Sequence, residues 1–337
     1  MFKFFYLDAA VMAIGLTLAF LRGHFYGAEL QFVLSAIIIA SLEISLSFDN
    51  AVINASKLKT MPVIWRRRFL TWGILIAVFG MRFVFPIAIV AVFSGISCMG
   101  VLDMALHDAK QYEFYLAQSH IGISSFGGTF LMMLFFEFMF DSNKQTHWIA
   151  PAEKLLKKIG RVKFAPLLCT VAALAIVEIF IPEHERLVSI SAGLSGIIIH
   201  LLIHGISEKL ESMAARKNAF ALKHAGLAAF LYLELIDASF SLDGVLGAFA
   251  LSRDVVVITI GLCIGAFFVR SITLLLVQKK TLEKLVYLTH GAYWAIGSLA
   301  AIMLISTIQA VPEAVTGGLG MALIIASLLS SLQKNGR

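Results

Sequence analysis

Two stretches of this chain carry the same polar phrase inside otherwise apolar sequence: "EISLSFDN" at 43–50 and "DASFSLDG" at 237–244. Each reads acid, any residue, Ser, a large apolar residue, Ser, a large apolar residue, Asp, then Asn or Gly. With Glu234 the two phrases bring five carboxylates into membrane-like sequence: Glu43, Asp49, Glu234, Asp237 and Asp243. A charged side chain at the centre of a membrane helix costs about 3 kcal/mol on insertion scales, so such residues are rare and functional by default. Arg82 in "FGMRFVF" and Arg270 in "FFVRSIT" offset two of the acids and leave three negative charges over. Hydrocarbon does not tolerate an unpaired surplus. Protonation of some acids relieves it, and a bound cation resolves it directly. Plain salt bridges to Arg82 and Arg270 account for part of the pattern, but not for the surplus, the serines or the repetition.

The donors narrow the cation. Carboxylate, hydroxyl and amide oxygens are hard ligands, suited to Mg²⁺, Ca²⁺ or Mn²⁺. Neither phrase contains Cys or His, which argues against Cu⁺ and Zn²⁺. At about 100° per residue, Glu43, Ser47, Asn50 and Asn54 share one helical stripe, and Ser41, Ser45 and Asp49 share another. In the second copy Glu234, Asp237 and Ser241 form one stripe, and Ser239 with Asp243 the other. The dipeptides Asp49-Asn50 and Asp243-Gly244 are turn formers. Local breaks there are expected to let Glu43, Asp49, Asp237 and Asp243 converge on one ion, with Asn50 and the serines as further oxygens and Arg82 and Arg270 alongside.

These residues need a scaffold, and the composition specifies its class. The 337 residues are 59% hydrophobic and 14% charged, which makes the chain an integral membrane protein. The formal net charge of +6 lies in short loops between apolar runs and gives no reason to expect nucleic acid as a partner. Three scattered cysteines, Cys98, Cys169 and Cys263, supply neither a disulfide framework nor a soft-metal cluster. Runs of about 20 apolar residues mark ten spans: 5–22, 31–56, 69–93, 121–140, 164–182, 187–206, 226–251, 255–278, 286–308 and 314–332. The basic loops 57–68, 141–163, 207–225 and 279–285 alternate with loops poor in Lys and Arg, which puts them and both termini on the cytoplasmic side. The first span is read as an uncleaved helix, because "LAFLRGHFYGAE" has no small-x-small cleavage site.

In this orientation the two acidic phrases run in opposite directions through the membrane. The spans after them each carry one deep arginine, and the fourth and ninth spans pair "FGGTF" with "HGAYW", a weaker match. The expected fold is therefore an all-α polytopic membrane protein of about ten transmembrane helices with two inverted three-helix repeats, a recurrent transporter plan. Its parts are an extra N-terminal helix (1–30), a first repeat (31–140), connecting helices and loops (141–225), a second repeat (226–310) and a C-terminal helix and tail (311–337).

"EISLSFDNAVINA", "ELIDASFSLDGVLGAFA", the arginine spans and "HGAYWAIG" resemble the TerC-like integral membrane proteins, within the lysine-exporter-like superfamily, over about residues 31–310. The resemblance implies export of a divalent metal as substrate, chiefly Mn²⁺, across a bacterial inner membrane. It also implies metal-site roles for Glu43, Asp49, Asn50, Asp237 and Asp243, and the placement of Ser47, Asn54, Arg82, Glu234, Ser241, Arg270 and His290 in the sequence makes them the expected supporting residues. The family has been linked to tellurite resistance, and a plant relative to membrane-protein insertion. This chain departs from the family's compact pattern in its terminal spans and in the long loop 94–120.

Weaker signals remain. His200, His204 and Glu208 recur every four residues at one end of the sixth span, either as interfacial caps or as a point where metal enters. His290, inside the ninth span, is a ligand or proton carrier near the site, or a packing histidine. "GLSG" at 193–196 has the look of an intramembrane serine protease, with Ser195 served by His290 or His204, or it is a small-residue packing motif. The expected activity is non-enzymatic transport of a divalent cation by alternating access. The alternative is a membrane-embedded scaffold or assembly factor with a structural metal. The partners expected are the metal ion and membrane lipids, and no protein partner is indicated.

Overall fold

The computed structural model describes residues 5–335 apart from 70, 143, 216–218, 253 and 279–284. Its elements are helices, with no strand among the described residues. In chain order they are α1 (Tyr6–His24), α2 (Glu29–Leu46), α3 (Phe48–Thr60), α4 (Val63–Phe69), α5 (Trp72–Leu75), a π-helix (Ile76–Val84), α6 (Phe85–Ser94), α7 (Cys98–His107) and α8 (Ala109–Gln118). After them come α9 (His120–Phe140), α10 (Ala150–Ile159), α11 (Ala165–Glu178), α12 (Glu183–Ala215), α13 (Ala219–Leu251), α14 (Val255–Gln278), α15 (Leu288–Ser306) and α16 (Glu313–Asn335).

Seven of these are long and apolar enough to cross a membrane: α1, α2, α9, α12, α14, α15 and α16. That marks the chain as a multi-pass membrane protein. Their outward faces are apolar, as at Leu18 and Phe20 on α1 and Leu187, Ile198 and Leu202 on α12, which suits lipid better than water. Three expected spans take other forms. The third is broken into α5, the π-helix and α6, and the fifth is the 14-residue α11. The seventh lies in α13, which is long but carries Glu234, Asp237 and Asp243 within ten residues.

The expected second span, 31–56, is two helices rather than one. Ser47 (φ −102°, ψ 10°) interrupts it between α2 and α3. The stretch 94–120, expected as a loop, is also helical. Ser97 Oγ caps α7 by accepting from the Gly100 N–H, and Asp108 Oδ1 caps α8 by accepting from the Gln111 N–H. Tyr112 and Leu116 of α8 are buried. The irregular third span has a local cause. Pro86 lacks an N–H and cannot continue the preceding ladder, and the π-helix ends at Val84, just before it.

Packing brings the polar phrases together. α2 lies along α14 and α1, while α13 lies against the π-helix and α2. α9 is sandwiched between α12 and α15, and α16 covers α15. The largest core cluster sits where α3, α9, α13 and α15 meet, around Phe130, Leu134, Ile236 and Ile296.

Candidate cation site

Glu43 sits near the C-terminal end of α2 and is almost fully buried. Its carboxylate pairs with Arg82 of the π-helix and accepts a 2.7 Å hydrogen bond from Ser47 Oγ. Helices α13 and α14 approach closely enough to allow this only because both present glycine. A Cβ on Gly265 would lie 2.5 Å from Glu43 Cβ, and one on Gly244 would lie 2.7 Å from Glu43 Oε2.

Arg82 is shared. Its Nη1 lies 3.9 Å from Asp237 Oδ2 on α13, and Asn50 Nδ2 of α3 donates to Asp237 Oδ1. One guanidinium therefore faces two buried carboxylates drawn from the two acidic phrases.

Beside this group lies a small cavity of about 40 Å³, lined by Asn54, Arg82, Glu234, Asp237, Arg270 and Thr273 among others. A water needs roughly 10–15 Å³ of such space, so an ion with one or two waters fits. Its polar lining is under-satisfied. Asn54 Oδ1, both oxygens of Glu234 and Asp237 Oδ2 are buried there with no hydrogen-bond donor, as is Asn50 Oδ1 in the adjoining Arg82 group. Buried polar atoms are normally paired, and these five oxygens are acceptors of the hard kind. Arg270 lines the same cavity, but it also feels Asp8 of α1, a buried carboxylate that accepts from Ser271 Oγ at 2.9 Å. It is therefore not free to neutralise the cavity alone.

The two stripes of the first phrase face different spaces. Glu43, Ser47, Asn50 and Asn54 belong to the Arg82 group and its cavity. Asp49 and Ser45 line a separate, narrower cavity with Leu299, Thr316 and Met321, and the backbone N–H of Asn50 donates to Asp49 Oδ1 at 2.8 Å. Asp49 thus opens on a different space from the cavity beside Arg82. The side chains of Ser241 and Asp243 lie outside the described residues. The expected helix breaks also differ. The first falls at Ser47, two residues ahead of Asp49-Asn50, and α13 runs unbroken through Asp243-Gly244. Gly244 serves close approach rather than a turn.

His290 departs from its expected place. It is hydrogen-bonded at 2.9 Å to Glu153 of α10, together with Lys144 at 3.2 Å and His147 at 3.4 Å. Glu153 also accepts from the backbone N–H groups of Trp148 and Ile149. The cluster fastens the segment after α9 onto α15 and belongs to packing, away from the acidic phrases. Ser195 donates to the Ser191 carbonyl of its own helix at 2.7 Å, while His204 and His290 are engaged with Glu137 and Glu153. The "GLSG" glycines instead let helices touch: any Cβ on Gly196 would collide with the Phe126 carbonyl of α9.

Sequence reasoning passed over several buried or half-buried acids, among them Asp8, Glu137, Glu153 and Glu178. Asp8 and Glu137 stand alone in apolar runs, and the insertion cost that flagged Glu43 applies equally to them.

Residues 48–337 match the family model described as "Protein of unknown function (DUF475)". The match begins at the first residue of α3 and covers both Arg82 and the second acidic phrase. No curated protein and no solved structure matches the chain.

Proposed function

This chain belongs to the DUF475 family, and from its own buried site we propose that it carries a hard divalent cation, Mn²⁺ first, across a membrane. The observation that bears most weight is the oxygen-only surplus beside Arg82. Glu43 and Asp237 share one guanidinium, Glu234 lines the cavity beside it, and five buried oxygens lack a donor next to a space large enough for an ion. Such a set fits a cation with six or so oxygen ligands, with bound waters completing the shell.

The helix pairings support a transporter plan of two inverted repeats within about ten spans. α2 lies on α14 as α13 lies on the π-helix, and α3 meets α15 as α13 meets α9. Exchanging first and second repeats maps each pairing onto its counterpart, which is the relation an inverted repeat requires. The basic loops then orient the chain with both termini in the cytoplasm. The likeness to TerC-like proteins adds the outward direction and the bacterial inner membrane.

Proteoliposomes loaded with an Mn²⁺-sensitive dye test the proposal. Wild-type protein gives a flux above that of empty vesicles, and Glu234→Gln or Asp237→Asn reduces it to background while the protein still reconstitutes. No flux from wild type above empty vesicles removes the transport reading, and flux undiminished in both variants removes Glu234 and Asp237 from the site.

A further inference from the structure

A second cluster lies apart from the acidic cavity, in the second half of α12. His200 and His204 occupy one face of α12 a turn apart, with ring centroids 6.0 Å apart and planes 7° from parallel. Glu137 of α9 meets both: its Oε2 lies 3.0 Å from His200 Nε2 and 3.4 Å from His204 Nδ1. One donor atom from each residue falls within 4.8 Å of the others.

We propose that Glu137, His200 and His204 form a binding site for a borderline-soft transition-metal ion of the Zn²⁺ class, distinct from the hard-oxygen cavity at Arg82.

The distances suit it. Zinc bonds of about 2.0–2.1 Å in a tetrahedral shell set neighbouring ligand atoms roughly 3.3 Å apart, and the two His–Glu separations bracket that value. An ordinary ion pair explains the cluster less well. His200 is completely buried, yet neither of its ring nitrogens makes a hydrogen bond of acceptable geometry. A buried imidazole left in that state loses the full desolvation cost of its polar atoms. A metal on Nε2 satisfies one nitrogen and offsets the Glu137 carboxylate.

The fourth position is open. His204 faces a cavity of about 420 Å³ lined also by Ser207, Glu208, Tyr232 and Tyr293. This gives an ion a way in and leaves room for a water ligand. Tyr232 Oη is also buried there with no partner. Three protein ligands with one vacant position is the pattern of an open rather than a purely structural zinc site. Glu208, the acid that helical spacing pairs with the two histidines, lines the cavity wall, and Glu137 from a different helix takes its place beside the rings. The ion would therefore tie α9 to α12. Two imidazoles and one carboxylate favour Zn²⁺, Co²⁺ or Ni²⁺ over Mn²⁺ and Mg²⁺, the reverse of the preference expected at the acidic cavity.

The test uses purified full-length protein in detergent with any affinity tag removed. Zn²⁺ is titrated against a chromogenic chelator, and Co²⁺ serves as a spectroscopic probe. Wild type binds one Zn²⁺ per chain and shows the intense visible absorption of four-coordinate Co²⁺, which Zn²⁺ displaces and equimolar Mn²⁺ does not. Glu137→Gln and His204→Ala each weaken Zn²⁺ binding by at least about tenfold. His204 is partly exposed, so its truncation leaves the fold intact, checked by unchanged elution and circular dichroism. Equal Zn²⁺ affinity in wild type and both variants overturns the proposal. So does Zn²⁺ binding that survives His204→Ala but is lost in Asp237→Asn, which would move the ion to the acidic cavity. No flux is measured, so failure of the transport reading leaves this result unaffected.

Discussion

Replacing Arg82 by Met isolates the charge balance at the buried site. The methionine fills similar space but leaves Glu43 and Asp237 without their shared cation. At 3.9 Å and an effective dielectric of about 20, the Arg82–Asp237 attraction alone is about 4 kcal/mol. Measured penalties for removing one partner of a buried ion pair are about 3–5 kcal/mol, and the loss is set at that scale. Arg82→Met should therefore lose about that much stability, read as a fall in the thermal midpoint by tryptophan fluorescence in detergent. A divalent cation that binds the folded state only, at one hundred times its dissociation constant, returns about 2.7 kcal/mol. Millimolar Mn²⁺ should thus recover most of the loss, whereas Na⁺ at matched ionic strength should not. The double variant Arg82→Met/Glu43→Gln removes one of the stranded charges, so it should be more stable than Arg82→Met alone and gain less from Mn²⁺. The reasoning fails if Arg82→Met is as stable as wild type. It also fails if Mn²⁺ stabilises the single and double variants equally.

Other expectations follow from particular contacts. Gly265→Leu places carbon against Glu43 Cβ and should abolish the monodisperse elution peak. Gly205→Ala on the exposed side of α12 meets nothing within 4 Å and should raise the thermal midpoint, by up to about 1 kcal/mol of helix propensity. At Glu153, burial pushes the carboxyl up, but the hydrogen bond and charge of His290 and the charge of Lys144 outweigh it and hold the group well below its usual range. A depressed folded-state value means stabilisation that is complete above the unfolded value of about 4.3 and lost as pH falls below it. The stability gap between wild type and Glu153→Gln should then begin to narrow below about pH 4.3 and keep narrowing as pH falls towards the depressed folded-state value, and a gap unchanged from about pH 7 down to about pH 3 would show that the carboxylate is not the partner. Periplasmic reporters fused near residues 25, 105, 184, 253 and 311 should be active and those near 62, 150, 215 and 282 inactive. Activity at 62 or 215 would remove the antiparallel arrangement of the two phrases.

Much of the helical scaffold is legible in hydropathy, because a bilayer demands long apolar runs whatever their neighbours. Helices α9, α14 and α15 fall where such runs predict, whereas α12 continues to Ala215 through much of the expected loop 207–225. The departures occur where a side chain or an imino acid overrides that demand. Ser47 spends its hydroxyl on Glu43 and marks the bend between α2 and α3. Pro86 removes a ladder donor two residues after the π-helix ends at Val84. Residues 94–120 carry enough charge to pass for a loop, yet the capping residues Ser97 and Asp108 precede helices that hydropathy cannot see.

The site was legible in its residue types and only partly in its geometry, and the division has a physical reason. Helical period assigns a residue to a face: Glu43 with Ser47, Asn50 and Asn54, and Asp49 with Ser45. It says nothing of what the face meets. That is set by close approach, here through Gly244 and Gly265, and a glycine reads in sequence equally well as a turn or as a contact. Asp243-Gly244 therefore suggested a break where α13 is continuous and its glycine simply makes room for a carboxylate from another helix. Two of the acids that spacing missed, Asp8 and Glu137, have partners remote in sequence. Asp8 meets Ser271 and Glu137 meets His200, pairings no local period encodes. Yet an acid inside an apolar run costs the same whether or not it belongs to a repeated phrase. The cost of burial, applied to every such residue in turn, points to Asp8 and Glu137 as surely as to Glu43. Repetition draws attention to a site, whereas the energetic penalty is what requires each acid to have a partner.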